Sequence, residues 1–184
     1  FRQLHLDFHT GEDMPDVGKE FSEADFEKAL IEGHINSVTL FSKCHHGWSY
    51  HPTTVNKTHP TLNTNLLARQ IAVCEKLGVR TQIYISAGLD ERMVNLHQEY
   101  MAHCANQHNT LLGAKFHPIC LNNDEYLAVL VDETVEIFEM FKGHFDGLFY
   151  DICTPPPCVC SNCIDSMIKL GLNPENPDDV ENHR

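Results

Sequence analysis

Val79-Arg-Thr-Gln-Ile-Tyr-Ile-Ser86 reads as a β-strand: β-branched and aromatic residues follow one another closely, and a turn at Gly88 closes the run. What stands before it decides the architecture. Leu66, Leu67, Ile71 and Leu77 recur at helical spacing and Gly78 supplies a stop, so a helix leads into the strand. Upstream of that helix lie the His/Trp/Tyr-rich loop Lys43 to Pro60 and a second strand-like run, Ile35 to Phe41. The same unit repeats toward the N-terminus, with a strand from Leu4 to Phe8 and a polar loop from Thr10 to Lys19. A helix follows, with Ser22 as its cap, Asp25 three residues on, Phe21 and Phe26 in the positions of a hydrophobic staple, and Gly33 as its end.

Toward the C-terminus the spacing predicts a helix from Glu91 to about Asn106, an irregular stretch from Thr110 to Leu121, and a strong helix from Asp124 to Lys142. The apolar stripe of that last helix is Leu127, Leu130, Val131, Thr134, Ile137, Phe138 and Phe141, and Gly143 stops it. A fourth strand, Gly147 to Cys153, a short helix near Ile164 to Leu170 and a beginning helix at Asp178 to Arg184 complete the chain.

Strands alternating with helices imply parallel neighbours, because parallel strands need helical crossovers. The fold expected is α/β and (β/α)8 TIM-barrel-like, with about the first four βα units in these 184 residues, read as one domain and as the truncated N-terminal half of a barrel that usually needs about 250 residues. A complete four-stranded open sheet is the alternative. In either, the long loops follow strands and gather at the carboxyl-terminal face, where such folds place their sites. A half barrel leaves open sheet edges, which a second copy of the chain or the other barrel half would cover.

Composition narrows the partners. A formal charge of -13 with only 13 Lys and Arg argues against nucleic acid and anionic membranes, which need clustered cations. Apolar runs are too short to span a membrane, so a soluble protein is expected; no basic region leads into an apolar one, so a signal peptide, if there was one, is already gone, and localisation is open with the cytoplasm favoured. A neutral carbohydrate suits this surface better.

The strand-end residues are His9, then Lys43, His45, His46 and Trp48, then Ser86, Asp90 and Glu91, and last Asp151. Sugar sites need a carboxylate at the anomeric carbon, polar groups for hydroxyls and an aromatic face for the ring. Asp151, the histidines and Trp48 supply all three, with Glu91 a further substrate-binding candidate. Asp151 has a plainer reading as a strand-end turn cap.

Phe41-Ser-Lys-Cys-His-His-Gly-Trp-Ser49 resembles the Lys-His-His-Asp-Gly-Phe signature of the α-L-fucosidase family, with Cys44 interposed and the Asp absent. Leu77 to Ser86 resembles that family's third strand, and Phe145-Asp-Gly-Leu-Phe-Tyr-Asp151 its fourth, whose terminal aspartate is the nucleophile. The whole chain is similar to the N-terminal half of a group of glycosyl hydrolases in which a Leu-Asp-Phe-His opening and a Cys-His-His-Gly-Trp loop occur together. The resemblance implies a glycosidase with Asp151 as nucleophile and with His9, His45 and His46 binding sugar hydroxyls. Asp90 and Glu91 are candidates for the second carboxylate, unless it lies on later strands.

Among the eight cysteines, Cys158-x-Cys160-x-x-Cys163 places three thiols on one tight loop, a spacing typical of tetrahedral Zn2+. Cys153 and Cys120 compete for the fourth place. Some β-galactosidase barrels carry a similar three-cysteine loop after the fourth strand, completed by a cysteine just before an Asn-Ser-Pro-x-Tyr stretch. Cys120-Leu-Asn-Asn-Asp-Glu-Tyr126 resembles that stretch, which implies Cys120. Four sulfur ligands leave no open position, so such a zinc is structural. Cys44, Cys74 and Cys104 read as small buried hydrophobes.

Two rivals stand beside the glycosidase. One is an amidohydrolase-like barrel with a catalytic metal on His5, His9, His45, His46 and Asp151, although His5 and His9 lie about 13 Å apart along a strand. The other is a sugar-binding barrel without chemistry.

Overall fold

A computed structural model describes residues 2–104, 116–154 and 156–183. Four strands, β1 (Gln3–His5), β2 (Ser37–Lys43), β3 (Arg80–Ser86) and β4 (Gly147–Asp151), form one sheet in the order β1-β2-β3-β4. Both β1 with β2 and β2 with β3 pair in parallel, Leu4 opposite Val38 and Thr39 opposite Gln82. Helices α1 (Glu23–Glu32) and α2 (Leu66–Leu77) make the first two crossovers, and α3 (Glu91–Leu96) with α4 (Asp124–Phe141) the third. After β4 come α5 (Ser161–Lys169) and α6 (Pro177–Asn182). The fold is α/β, and its four βα units follow the order of a (β/α)8 barrel. No helix among the described residues is long and apolar enough to cross a membrane.

The chain condenses into two compact units, Phe1–Ile85 with Asp132–Tyr150, and Ser86–Val131 with Asp151–Arg184. In the first unit β2 is buried at every position, as a central parallel strand covered on both faces must be. Local chemistry sets the helix ends as anticipated. Ser22 accepts from the Asp25 N–H, and the Phe21 and Phe26 rings meet at 5.6 Å. At the other end of α1 the left-handed residue is His34 (φ 51), not Gly33. His34 N–H donates to Ile31 and Ile35 N–H to Leu30, the paired bonds of a Schellman motif. Gly33 instead suits a tight contact: a Cβ there would sit 3.0 Å from the Ala29 carbonyl and 3.2 Å from Ile35, so its neighbours would have to give by a few tenths of an ångström.

Three expectations shift. Strand β1 stops at His5, leaving Phe8 and His9 in the loop. Helix α3 ends at Leu96, because His97 leaves helical geometry and a 3-10 turn at Gln98–Tyr100 leads into extended bridges from Met101 to Ile119 and from Cys104 to Cys158. Its expected end near Asn106, and the first half of the Thr110 to Leu121 stretch, lie outside the described residues. The third shift concerns α4. Its buried positions are Tyr126, Glu133, Ile137 and Phe141, whereas Val131 is 57% and Phe138 47% exposed. Two polar side chains set this inward face: the Tyr126 hydroxyl donates to the Ala87 carbonyl at 2.6 Å, and Glu133 pairs with Lys43.

Candidate active site and thiol centre

In the first unit, the histidine-bearing loop after β2 is a tight turn. Lys43 and Ser49 form an antiparallel bridge, Gly47 N–H donates to the Cys44 carbonyl at 2.9 Å, and Gly47 takes a left-handed φ of 87°. His45 and His46 sit at the tip, His45 buried and His46 half-buried. His9 comes to the same place from the loop after β1, its ring stacked on His45 with centroids 4.0 Å apart. The His45 backbone N–H donates to His9 Nδ1 at 3.2 Å. An N–H can only donate, so Nδ1 is the bare nitrogen and the His9 proton sits on Nε2, 2.8 Å from an Asp7 carboxylate oxygen. Both ring nitrogens are thus engaged, which leaves His9 poorly placed as a metal ligand.

The loop bearing His9 is held by residues the motifs do not mark. Tyr50 donates its hydroxyl hydrogen to the Phe8 carbonyl, and its oxygen lies 2.8 Å from Thr10 Oγ1. Burial pushes the Tyr50 phenol far above its usual range. His59 Nε2 donates to the Gly11 carbonyl at 2.9 Å. Beneath them Tyr84, stacked on Phe41 at 3.8 Å, points its hydroxyl at His45 Nδ1, 3.4 Å away. Trp48 is half-buried, edge-on to His59 at 6.2 Å.

In the second unit, Asp151 closes β4 half-buried. Its carbonyl accepts from the N–H groups of Ala87 (3.0 Å) and Gly88 (3.3 Å), and its carboxylate Oδ1 accepts from the N–H of Ile152 at 2.8 Å. Ile152 has φ 56, a left-handed conformation that is a true outlier for a β-branched residue. Gly88 is the partner that makes this corner fit. A Cβ at Gly88 would lie 1.9 Å from the Ile152 carbonyl oxygen, which is backbone and cannot swing aside. Gly88→Ala is therefore expected to cost about 3 kcal/mol, lowering the thermal midpoint by roughly 10 °C. Differential scanning calorimetry checks it, and an unchanged midpoint would contradict this packing.

The two acidic residues after β3 are both committed to the protein. Asp90 is fully buried and caps α3, accepting from the Met93 N–H at 2.9 Å. Glu91 accepts from the His117 N–H at 3.0 Å and faces its Nδ1 at 2.9 Å.

Also in the second unit, Cys120, Cys158, Cys160 and Cys163 are all buried, and their sulfurs lie within 4.8 Å of one another. Cys120 Sγ is 3.4 Å from Cys163 Sγ and 3.5 Å from Cys160 Sγ. Cys153 is exposed and stands outside the cluster. Cys160 is the N-cap residue of α5 and Cys163 lies in its first turn, where the positive end of a helix favours thiolates. Asn122 Nδ2 donates to Cys163 Sγ and the Cys160 N–H to Cys158 Sγ, both at 3.4 Å. Hydrogen bonds from Cys120 and its neighbours hold the Cys158 thiol down at about 7 and Cys160 lower still, while Cys158 and its neighbours drive Cys120 up. Thiols so crowded cannot all ionise together without a cation between them. A tetrahedral ion with metal–sulfur bonds of about 2.3 Å needs sulfurs about 3.8 Å apart, so this donor set fits one.

The remaining cysteines behave as small apolar groups. Cys44, Cys74 and Cys104 are buried, and burial raises the Cys74 thiol to about 11.

The sequence profile of a family described as hypothetical glycosyl hydrolase 6 matches residues 22–152, a stretch that runs from the cap of α1 past Asp151. The chain belongs to this family. Among solved structures, this hypothetical glycosyl hydrolase 6 member is 38% identical to α-L-fucosidase isoenzyme 2 from Paenibacillus thiaminolyticus, at a TM-score of 0.89 over 100% of this chain and 28% of that one. It thus spans little more than a quarter of that relative. Two more distant structures share the fold: a hypothetical protein from Ruminiclostridium thermocellum (14% identity, TM-score 0.58, 81% of this chain and 74% of that one) and a Thermotoga maritima α-fucosidase in complex with fucose (16%, 0.55, 77% and 31%). No curated protein sequence matches. The family's matched stretch takes in His45, His46, Trp48, Glu91, Cys120 and Asp151, while His9 and the loop from Cys158 to Cys163 fall outside it.

Proposed function

We propose that this chain is part of the catalytic barrel of a retaining glycosidase that cleaves α-L-fucosides, with Asp151 as the nucleophile. The observation that carries the reading is the 38% identity with the Paenibacillus α-L-fucosidase over every residue of the chain. Asp151 ends the fourth strand, where a barrel keeps chemistry, and a strained corner at Ile152 follows it directly. In this reading Asp151 attacks the anomeric carbon to give a glycosyl ester, and a second carboxylate protonates the leaving oxygen and later activates water. His9, His45 and His46 bind sugar hydroxyls, Trp48 offers a ring face, and Glu91 is a further substrate-binding group. Cys120, Cys158, Cys160 and Cys163 hold a structural Zn2+, which supplies cross-linking and no open coordination site.

The test is turnover by the encoded protein that carries these residues, on 4-nitrophenyl α-L-fucoside and 4-nitrophenyl β-D-galactoside. Hydrolysis of the fucoside, at a kcat/KM at least about a hundredfold above that for the galactoside, is expected from hydroxyl-specific polar contacts. Binding of fucose without turnover of either would leave a carbohydrate-binding barrel in place of an enzyme.

A further inference from the structure

The root of the hairpin carrying His45 and His46 is fixed from one face of α4. Lys43 is the last residue of β2, just past a register shift that sets Phe41 opposite Tyr84 and Lys43 opposite Ile85. Its ammonium does not reach solvent: Nζ lies 2.7 Å from Glu133 Oε2, with the two side chains 2% and 6% exposed. Three residues along the same helix, Glu136 grips the next loop. It accepts from the Thr54 N–H at 2.6 Å, from Thr54 Oγ1 at 2.7 Å and from the Thr53 hydroxyl. Between these anchors the Ser42 hydroxyl meets His51 Nε2 at 2.9 Å, and His51 Nδ1 donates to the Pro52 carbonyl. Burial lowers the His51 pKa, so this link is made by a neutral ring.

Two buried charges are a poor way to gain stability, because apolar residues of similar size commonly do as well. What an ion pair offers instead is a single geometry, since a 2.7 Å contact allows neither partner to slide. The backbone bonds it abuts are those that shape the turn: Tyr50 N–H to the Ser42 carbonyl at 2.9 Å, and Cys44 N–H to the Trp48 carbonyl at 3.4 Å. We infer that Lys43 and Glu133 are positioning residues, which hold the β2 hairpin in one register so that His45 and His46 meet the sugar. This rests on the reading of those histidines as sugar-binding groups.

The experiment replaces the pair by apolar residues, Lys43→Met with Glu133→Leu, in the encoded protein. Amide exchange of peptides covering residues 43–50 is read together with the thermal midpoint and fucoside kinetics. The expected result is a midpoint close to that of the parent, hairpin amides exchanging at least about tenfold faster while β3 is unchanged, and kcat/KM down about a hundredfold. Lys43→Arg, which keeps the pair, should restore both. Unchanged hairpin exchange and kinetics in the double variant would overturn the proposal. Should that variant fail to fold, Glu133→Gln carries the same exchange measurement, and an undisturbed hairpin again overturns it. A parent protein inactive on fucosides would refute the functional reading above while the exchange data still decide on positioning.

Discussion

Asp151→Asn is expected to lower kcat on an aryl α-L-fucoside by at least about a thousandfold, with the thermal midpoint nearly unmoved. The two outcomes separate because Asn keeps the shape of Asp and an acceptor oxygen for the Ile152 N–H, now 2.8 Å from Oδ1. The corner after β4 and the carbonyl bonds to Ala87 and Gly88 therefore survive the change. What is lost is the negative charge that must attack the anomeric carbon, and removing a covalent nucleophile leaves only binding and electrostatic contributions to the rate. Were Asp151 a turn cap and nothing more, Asn would serve as well, and both the rate and the midpoint would be retained. Steady-state kinetics with a parallel calorimetric scan distinguishes the two.

Cys120→Ser should abolish stoichiometric zinc binding and lower the thermal midpoint by roughly 10 °C or more. The size of the effect follows from what surrounds the thiols. One buried cluster of the second unit consists of Ala102, the four cysteines, Met167 and Val180, so sulfur supplies most of its interior. Without an ion, four polarisable but mutually crowded thiols pack there. With one, the ion cross-links Cys120 to a loop some 40 residues on. Structural zinc is worth roughly 10 kcal/mol or more in small domains, and losing one ligand of four removes several of those, at about 2–4 °C each. Cys153→Ser, by contrast, should leave zinc content and midpoint alone, because Cys153 is exposed and apart from the cluster. Metal analysis by inductively coupled plasma mass spectrometry, before and after a chelator, gives the stoichiometry. A protein that purifies without zinc, or one that Cys120→Ser leaves equally stable, would remove the metal from this account.

Much of the fold was legible because its signals are local. Ser22 and Gly78 announce helix ends by their own hydrogen bonds and backbone angles, which need no tertiary context. The inward face of α4 was legible only in part: Ile137 and Phe141 of the expected stripe are buried, but hydropathy also assigns Val131 and Phe138 to the core and Glu133 to solvent. For these three the reverse is observed, and the burial of Glu133 goes with a lysine 90 positions earlier that the helix pattern cannot report. At the candidate site the same division recurs. The strand-end positions of His45 and Asp151 follow from element order, and the three-thiol loop from its spacing. Tyr50 and His59, which hold the His9 loop in place, carry no motif, because each acts on a partner distant in sequence. The fourth thiol, Cys120, lies 43 residues from Cys163, and only similarity to another protein pointed to it.

A covalent bond between sugar and Asp151 is the central step of the proposed reaction, and one measurement addresses that bond directly. The encoded protein is incubated with a fluorinated, slow-turnover fucosyl donor, digested, and its peptides are sequenced by tandem mass spectrometry. A single fucosyl adduct on the carboxylate of Asp151, absent from Asp151→Asn, is the result expected of a retaining enzyme with this nucleophile. An adduct on another carboxylate, such as Glu91, would contradict it, as would turnover of the donor with inversion and no adduct at all.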